Sequence, residues 1–426
     1  MTDDTLYWLW LQCALGISSS LRTGEILGAF DGNHCGGNGA KAVFAASDYE
    51  RRVAGVFTYT QLERLRKTSL DEAGKIFEEC ARHHTHILTP RGAQSPQNED
   101  YPLRLAMIPN FPLALYVRGS LACLRERLGI AIVGTRRADR KSVDIAARLS
   151  ADLTRAGCAA VSGGALGIDS AAHWGALHAG GATVAVLGCG LLADYLPENR
   201  SLREKIVAGG GAVVSEYPGD TAPLARNFPV RNRLISGMTA GTVVIEAGEK
   251  SGSLITATCA AEQGRDVFAV PGDAFGSTYT GGNKLIREGA KPVFSAMDIL
   301  EEYELVYPEL LNMRFAQRDL DRASMDPSQV TVKKRTPVGD GLRTSLVPQE
   351  NNCFSSYETS GTPSPADGLS ALEQKIISLL KGGVLHIDGI VKAAGVPFGT
   401  LCAALTNLEI QGLIAQGPGR MYEVRP

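Results

Sequence analysis

Six short apolar runs recur through the middle of the chain: Ile130 to Val133, Ala159 to Ser162, Thr183 to Leu187, Ala212 to Glu216, Thr242 to Glu246 and Val267 to Val270. Each is nearly continuous rather than alternating, which is the pattern of strands covered on both faces. The stretches between them, such as Ser142 to Ala156 and Ile168 to His178, place apolar residues at helical spacing. Strand and helix in alternation predict right-handed crossovers and an open, doubly wound parallel α/β sheet. Its ligand crevice is expected at the carboxyl ends of the strands.

The flanks read differently. Leu6, Trp8, Leu9, Leu11 and Leu15 suggest a helix, and Leu21 to Phe30 a second. Joined by a glycine-containing connection, the pair is either a helix-hairpin-helix DNA-binding unit or a packing bundle, and the poor glycine spacing favours the bundle. From about 306 to 367 the chain turns to Pro, Ser, Thr, Gln and scattered charge, a composition that buries too little apolar area to order itself and reads as a flexible linker. Lys333, Lys334 and Arg335 within it read as a solvated charge run. Periodicity returns with helices at Leu369 to Lys381, Ile387 to Ala394 and Thr400 to Gln411, then a strand-turn-strand around Gly417-Pro418-Gly419. Those elements predict a winged helix. The Thr400 to Gln411 helix carries no Arg or Lys, which favours a protein-docking or regulatory role over groove reading. The expected domains are therefore 1–85 (helical), 86–305 (α/β), 306–367 (linker) and 368–426 (winged helix).

Composition narrows the setting. The 426 residues allow several domains, each able to bury a core without disulfides, and the nine cysteines contain no CxxC pair or regular spacing. A reducing cytoplasm fits. Asp3 and Asp4 stand where a signal peptide would be basic, and no apolar run is long enough to span a membrane. A net charge of −2 means that binding to nucleic acid must come from a local patch. His83, His84 and His86 lack a nearby cysteine and read as a solvated helix end, so no metal site is expected.

The candidate chemistry lies in the loops that follow the strands. After the first strand come Gly134, Thr135, Arg136 and Arg137; after the second, Ser162, Gly163, Gly164 and Gly167, glycines that would let the backbone approach a phosphate at a helix start. The stretch Asn227 to Ala257 reads as a basic loop with Phe228, Arg231, Asn232 and Arg233, a short helix, a buried strand, a second loop with Lys250 ahead of Ser251, Gly252 and Ser253, and a helix opening near Leu254. Two cationic turns thus bracket one strand, an arrangement for holding a flexible polyanion. Phe228 offers a face for base stacking.

Other phosphate readers fit less well. The dinucleotide fingerprint is absent after Gly134, and Glu249 precedes Lys250 where a Walker A loop has glycine. Asp169 and His173, four apart on one helix, and Glu246 at a strand end could in principle do acid/base work; a capping or pairing role for Asp169 and a counter-ion role for Glu246 are the favoured readings. No cofactor is expected.

The segments GTRR (134–137), SGGALGIDSAAH (162–173), YLPENR (195–200), SEYP (215–218), FPVRNRLISG (228–237), EAGEKSGSLITA (246–257), VFAVPG (267–272) and GGNKLIREGA (281–290) together resemble the DNA-processing protein A family. The match spans about residues 86–295 in the family's order. The resemblance implies an extended Rossmann-like domain that binds single-stranded DNA, forms a homodimer, and loads the RecA recombinase during natural transformation without catalysing a reaction. It assigns the DNA contacts to Gly134, Thr135, Arg136, Phe228, Arg231, Asn232, Arg233, Lys250, Ser251, Gly252 and Ser253. Where family members often have histidine, this chain has Asn227. The rival from another class is a nucleoside-monophosphate phosphoribohydrolase of related architecture. Its phosphate loop is of PGGxGT type, and the corresponding stretch here is EKSGSL. A third reading, sequence-specific transcription control through the winged helix, requires a defined duplex site.

Overall fold

A computed structural model of the chain describes residues 4–30, 39–90, 101–274 and 276–313, with parts of 371–424. Two compact units result, Met1–Gly339 and Asp340–Pro426. The first is built on nine strands: β1 (His86–Leu88), β2 (Leu115–Gly119), β3 (Leu128–Val133), β4 (Cys158–Ser162), β5 (Thr183–Leu187), β6 (Ala212–Ser215), β7 (Gly241–Val244), β8 (Asp266–Ala269) and β9 (Lys291–Pro292). Their order across the sheet is β1-β2-β6-β5-β4-β3-β7-β8-β9. β3 to β9 run parallel, and β1 and β2 add an antiparallel edge.

The near-continuous apolar runs have the expected cause. Along β3, Ile130 and Ile132 enter one helical layer while Ala131 and Val133 enter the other, so every position is buried. Chain order runs outward from β3 through β4, β5 and β6, then restarts on the opposite side at β7. That reversal makes the gap between β3 and β7 the switch point of the sheet, where loops diverge and leave a crevice.

The N-terminal helices share their core with the antiparallel edge of the sheet. Trp8, Trp10 and Leu11 of the Asp4–Leu15 helix cluster with Leu113, Ala114 and Tyr116. Gln12 Nε2 donates to the Glu216 carbonyl at 3.2 Å, and the Tyr116 hydroxyl to Gln12 Oε1 at 2.7 Å. An edge strand leaves one apolar face to cover, and these helices cover it. His83, His84 and His86 are exposed beyond the Leu70–Arg82 helix. Among the described residues, no group of three or more His, Cys, Asp or Glu is placed to hold a metal ion.

The linker was expected from residue 306, yet residues up to 313 stay on the sheet domain. Tyr307, Leu311 and Met313 pack against its core, and the Asn312 N–H donates to the Ala156 carbonyl at 2.8 Å. Three apolar side chains within seven residues provide enough burial to hold the segment. The rest of the expected linker, Lys333 to Arg335 included, lies outside the described residues.

In the second unit, the Ala371–Leu380 helix precedes β10 (Leu385–His386), β11 (Ile414–Gly417) and β12 (Met421–Val424), an antiparallel sheet ordered β10-β12-β11. Ile376, Leu380, Leu401, Leu405 and Ile414 form its core. It is a winged-helix domain. Among the described residues, no helix is long and apolar enough to cross a membrane.

Candidate nucleic-acid interface

The loop leaving β3 is fixed on both sides. The Thr135 N–H donates to the Glu246 carbonyl beyond β7 at 2.8 Å, and the Thr135 carbonyl accepts from the Ile168 N–H at 3.2 Å. Gly134 must be small here, because a Cβ on it would lie 2.7 Å from Ile168 Cγ1. The turn is thereby pinned at the mouth of the switch point with Arg136 at its tip.

The short helix expected after the basic loop takes in the basic residues themselves and runs Asn227–Gly237. Residues 231–237 are buried all round, so the two guanidinium groups, on opposite sides of the helix, both end inside the protein. Arg231 is 3% exposed; it donates to the Gly163 carbonyl at 2.8 Å and also to the Val186 carbonyl. It thereby ties the ends of β4 and β5 together. Arg233, also 3% exposed, donates from one nitrogen to both carboxylate oxygens of Glu216, at 2.8 and 2.9 Å. Burial pushes the Glu216 carboxyl up, and the Arg233 charge opposes that shift. Arg233 is therefore a core ion pair and does not line the cleft.

Phe228 stays half-buried, its ring against Gly188 and 5.5 Å from the Tyr195 ring. The guanidinium carbons of Arg136 and Arg231 lie 4.9 and 5.8 Å from the centroid of Phe228. Opposite, the Gly252–Glu262 helix begins with Ser251 as its cap, the Ser251 hydroxyl accepting from the Ser253 N–H at 3.4 Å. Asn232 Nδ2 joins the two helices by donating to the Gly252 carbonyl at 3.1 Å.

These elements enclose an open cavity of about 670 Å³. Gly134, Thr135, Arg136, Phe228, Arg231, Asn232, Ser251, Gly252 and Ser253 all line it, so the sequence brought most of its chosen residues to one place. Lys250 is exposed just outside, on the turn leading into Ser251. Asn227 is buried and donates to the Ala222 carbonyl at 3.4 Å, which gives it a structural part.

Of the turn after β4, Ala165 lines the cavity, but the candidates Ser162, Gly163, Gly164 and Gly167 do not. The Ser162 hydroxyl donates to the Ile132 carbonyl at 2.6 Å, Gly163 receives Arg231, and Gly164 packs on Leu187. A Cβ on Gly167, where φ is +79°, would lie 2.5 Å from the Thr135 carbonyl oxygen. The glycines let neighbouring turns approach one another and are not exposed to an anion.

The acid/base candidates also separate. Asp169 lines the cavity beside Arg231, and burial raises its pKa against the pull of that cation. His173 does not meet it. The Thr183 hydroxyl donates to the Ala160 carbonyl at 2.6 Å, so it accepts from His173 Nδ1–H at 2.8 Å, leaving Nε2 buried and without a partner. Glu246 is 1% exposed and accepts from the Asp139 N–H at 3.3 Å. Cys189 is a core thiol that burial raises to about 11.

Tyr195 is a lining residue that sequence reasoning did not select. It sits in an irregular segment with no charge or glycine signature; the only signal was its place in YLPENR. Chemically, the cavity offers the Arg136 and Arg137 guanidinium groups above a buried Arg231, an aromatic face, hydroxyls and the start of a helix. That set suits a phosphate joined to a flat apolar ring.

A family model described as DNA recombination-mediator protein A matches residues 93–304, and one described as the DprA winged helix domain matches residues 360–420. The chain is 34% identical over 356 residues to Protein Smf of Synechocystis sp., covering 82% of this chain and 83% of that protein. It is 42% identical over 206 residues to DNA processing protein DprA of Bacillus subtilis, covering 48% and 69%. Among solved structures, DNA processing protein A from Streptococcus pneumoniae superposes with a TM-score of 0.57 at 30% identity, covering 71% of this chain and 98% of that one.

Proposed function

The chain belongs to the DNA recombination-mediator protein A family, and from that membership we propose that the cleft at the β3–β7 switch point holds single-stranded DNA. One observation carries the reading: Arg136 and Arg231 face the same Phe228 ring inside a cavity that also receives a helix start. Guanidinium groups bind phosphates without regard to sequence and release counterions. A ring among them stacks any base. A duplex keeps its bases stacked on one another, so the combination selects unpaired strands.

In this reading the protein acts without catalysis, as a cytoplasmic homodimer that protects incoming strands and loads RecA on them during natural transformation. Family membership supports the mediator part of that role. The rival hydrolase reading meets a cavity whose one described lining acid, Asp169, lies against Arg231.

The test is a salt-titrated comparison of single strands with duplex. Tight single-strand binding that weakens steeply with salt is expected; equal affinity for duplex, or none for either, would overturn the proposal. Incubation with nucleoside monophosphates adds the second arm, since release of free base would make the hydrolase reading correct.

A further inference from the structure

Tyr195 lines two cavities. One is the cleft already described; the other, about 630 Å³, lies beyond it, where Arg118 of β2, Arg203 and Leu187 at the end of β5 converge. The tyrosine is 8% exposed, and its hydroxyl has no hydrogen-bond partner. A buried hydroxyl left unsatisfied costs stability, on the order of 1–3 kcal/mol. The backbone holds it there under constraint. Leu196, next in the chain, has φ +47°, a left-handed conformation that a branched side chain rarely adopts. The Leu196 carbonyl accepts from Arg203 at 3.3 Å, and the turn that follows is anchored by Asn199 Nδ2, which donates to the Gly164 carbonyl at 3.0 Å.

Charge in the second cavity is uneven. Asp194 pairs with Arg200 at 3.6 Å, and Glu204 stands exposed at the rim. Arg203 makes one hydrogen bond, to Leu196, and feels the Asp194 charge without an ion pair, and Arg118, half-exposed, has no ion pair among the described residues. Two guanidinium groups with free donors therefore face one space, with an unsatisfied hydroxyl at the wall shared with the first cleft. A guanidinium with several free donors fits phosphate oxygens in a paired geometry.

We propose that this second cavity is an anion subsite, in which Arg118 and Arg203 hold a phosphate of the strand as it passes over Tyr195 from the first cleft. The inference rests on the reading of that cleft as a single-strand site.

The experiment measures how the affinity of the full chain for a single strand of about 16 nucleotides, within known single-strand site sizes, falls with salt. An Arg118→Gln/Arg203→Gln double variant should lower the slope of log affinity against log salt by about 0.7, the value of one neutralised phosphate. An unchanged slope, while Arg136→Ala lowers it, overturns the subsite and leaves the first cleft standing. If the wild-type chain binds no single strand, the cleft reading and the subsite fall together. Should the double variant fail to fold, Arg118→Gln alone decides: a lowered salt slope supports the subsite, and a wild-type slope overturns it.

Discussion

Arg136 holds its guanidinium carbon 4.9 Å from the centroid of the Phe228 ring, so charge and stacking surface share one wall of the cleft. The two contributions separate by their response to salt. Arg136→Ala should reduce the salt slope by about 0.7 for each phosphate that the guanidinium no longer neutralises. Phe228→Ala should weaken binding by about 1–3 kcal/mol at constant slope, because stacking releases no counterions. Fluorescence anisotropy with a labelled single strand at several salt concentrations distinguishes them. Wild-type binding by both variants would remove this wall from the site.

Gly167 supports that wall from behind. At φ +79°, with the Thr135 carbonyl oxygen 2.5 Å from where a Cβ would lie, alanine would push the Thr135–Arg136 turn outward. With ψ at −125° this is a backbone region open essentially to glycine, and alanine there adds about 1–3 kcal/mol of strain. Gly167→Ala should therefore lose both stability in urea unfolding and single-strand affinity at a temperature where it remains folded. Gly252→Ala is the contrast: a Cβ there meets nothing within 4 Å, so unfolding should be unaffected.

Lys250 and Arg233 are expected to behave oppositely, although both are cations in motifs chosen from the sequence. Lys250 is exposed beside the cleft, so Lys250→Glu should weaken strand binding and leave the unfolding curve in place. Arg233→Met would strand the Glu216 carboxylate in the core, which costs about 3–5 kcal/mol, while the folded fraction binds DNA normally. Arg231→Glu should likewise fail by unfolding, since it would set a second buried acid beside Asp169 and free the Gly163 and Val186 carbonyls. Denaturant titrations paired with binding on folded protein check all three. Equal stability of Arg233→Met and the wild type would show that the pair is dispensable.

The sheet was readable because every position of β3 to β7 is buried and nearly all are apolar, so the runs read as continuous. The site was readable as far as glycine and charge mark turns, which is why Gly134 to Arg136 and Ser251 to Ser253 were found. What the sequence could not show was direction. FPVRNR has the composition of a surface loop, and only packing decides that Arg231 and Arg233 turn toward carbonyls and a carboxylate. The glycines at 163, 164 and 167 gave the same signal for close packing as for phosphate approach. Tyr195 had only its place in YLPENR, since its role depends on a ring contact with Phe228, thirty-three residues further along.

His173 makes acid stability a readout of the layer beneath the cleft. Burial, reinforced by the nearby Arg231 charge, lowers its pKa from 6.5 to about 3. A base whose folded pKa is depressed binds fewer protons folded than unfolded, so its contribution is fully present above pH 6.5 and is lost as pH falls toward 3. Within that window the loss approaches about 1.4 kcal/mol per pH unit. His173→Gln removes the titrating group, so its stability, lower at neutral pH, should fall less steeply than that of the wild type below pH 6.5. Urea unfolding of both proteins across this range gives the two slopes. Parallel curves would mean that His173 is not held neutral in the folded protein. Converging curves would tie the Thr183 bond and the bare Nε2 to a single, buried tautomer.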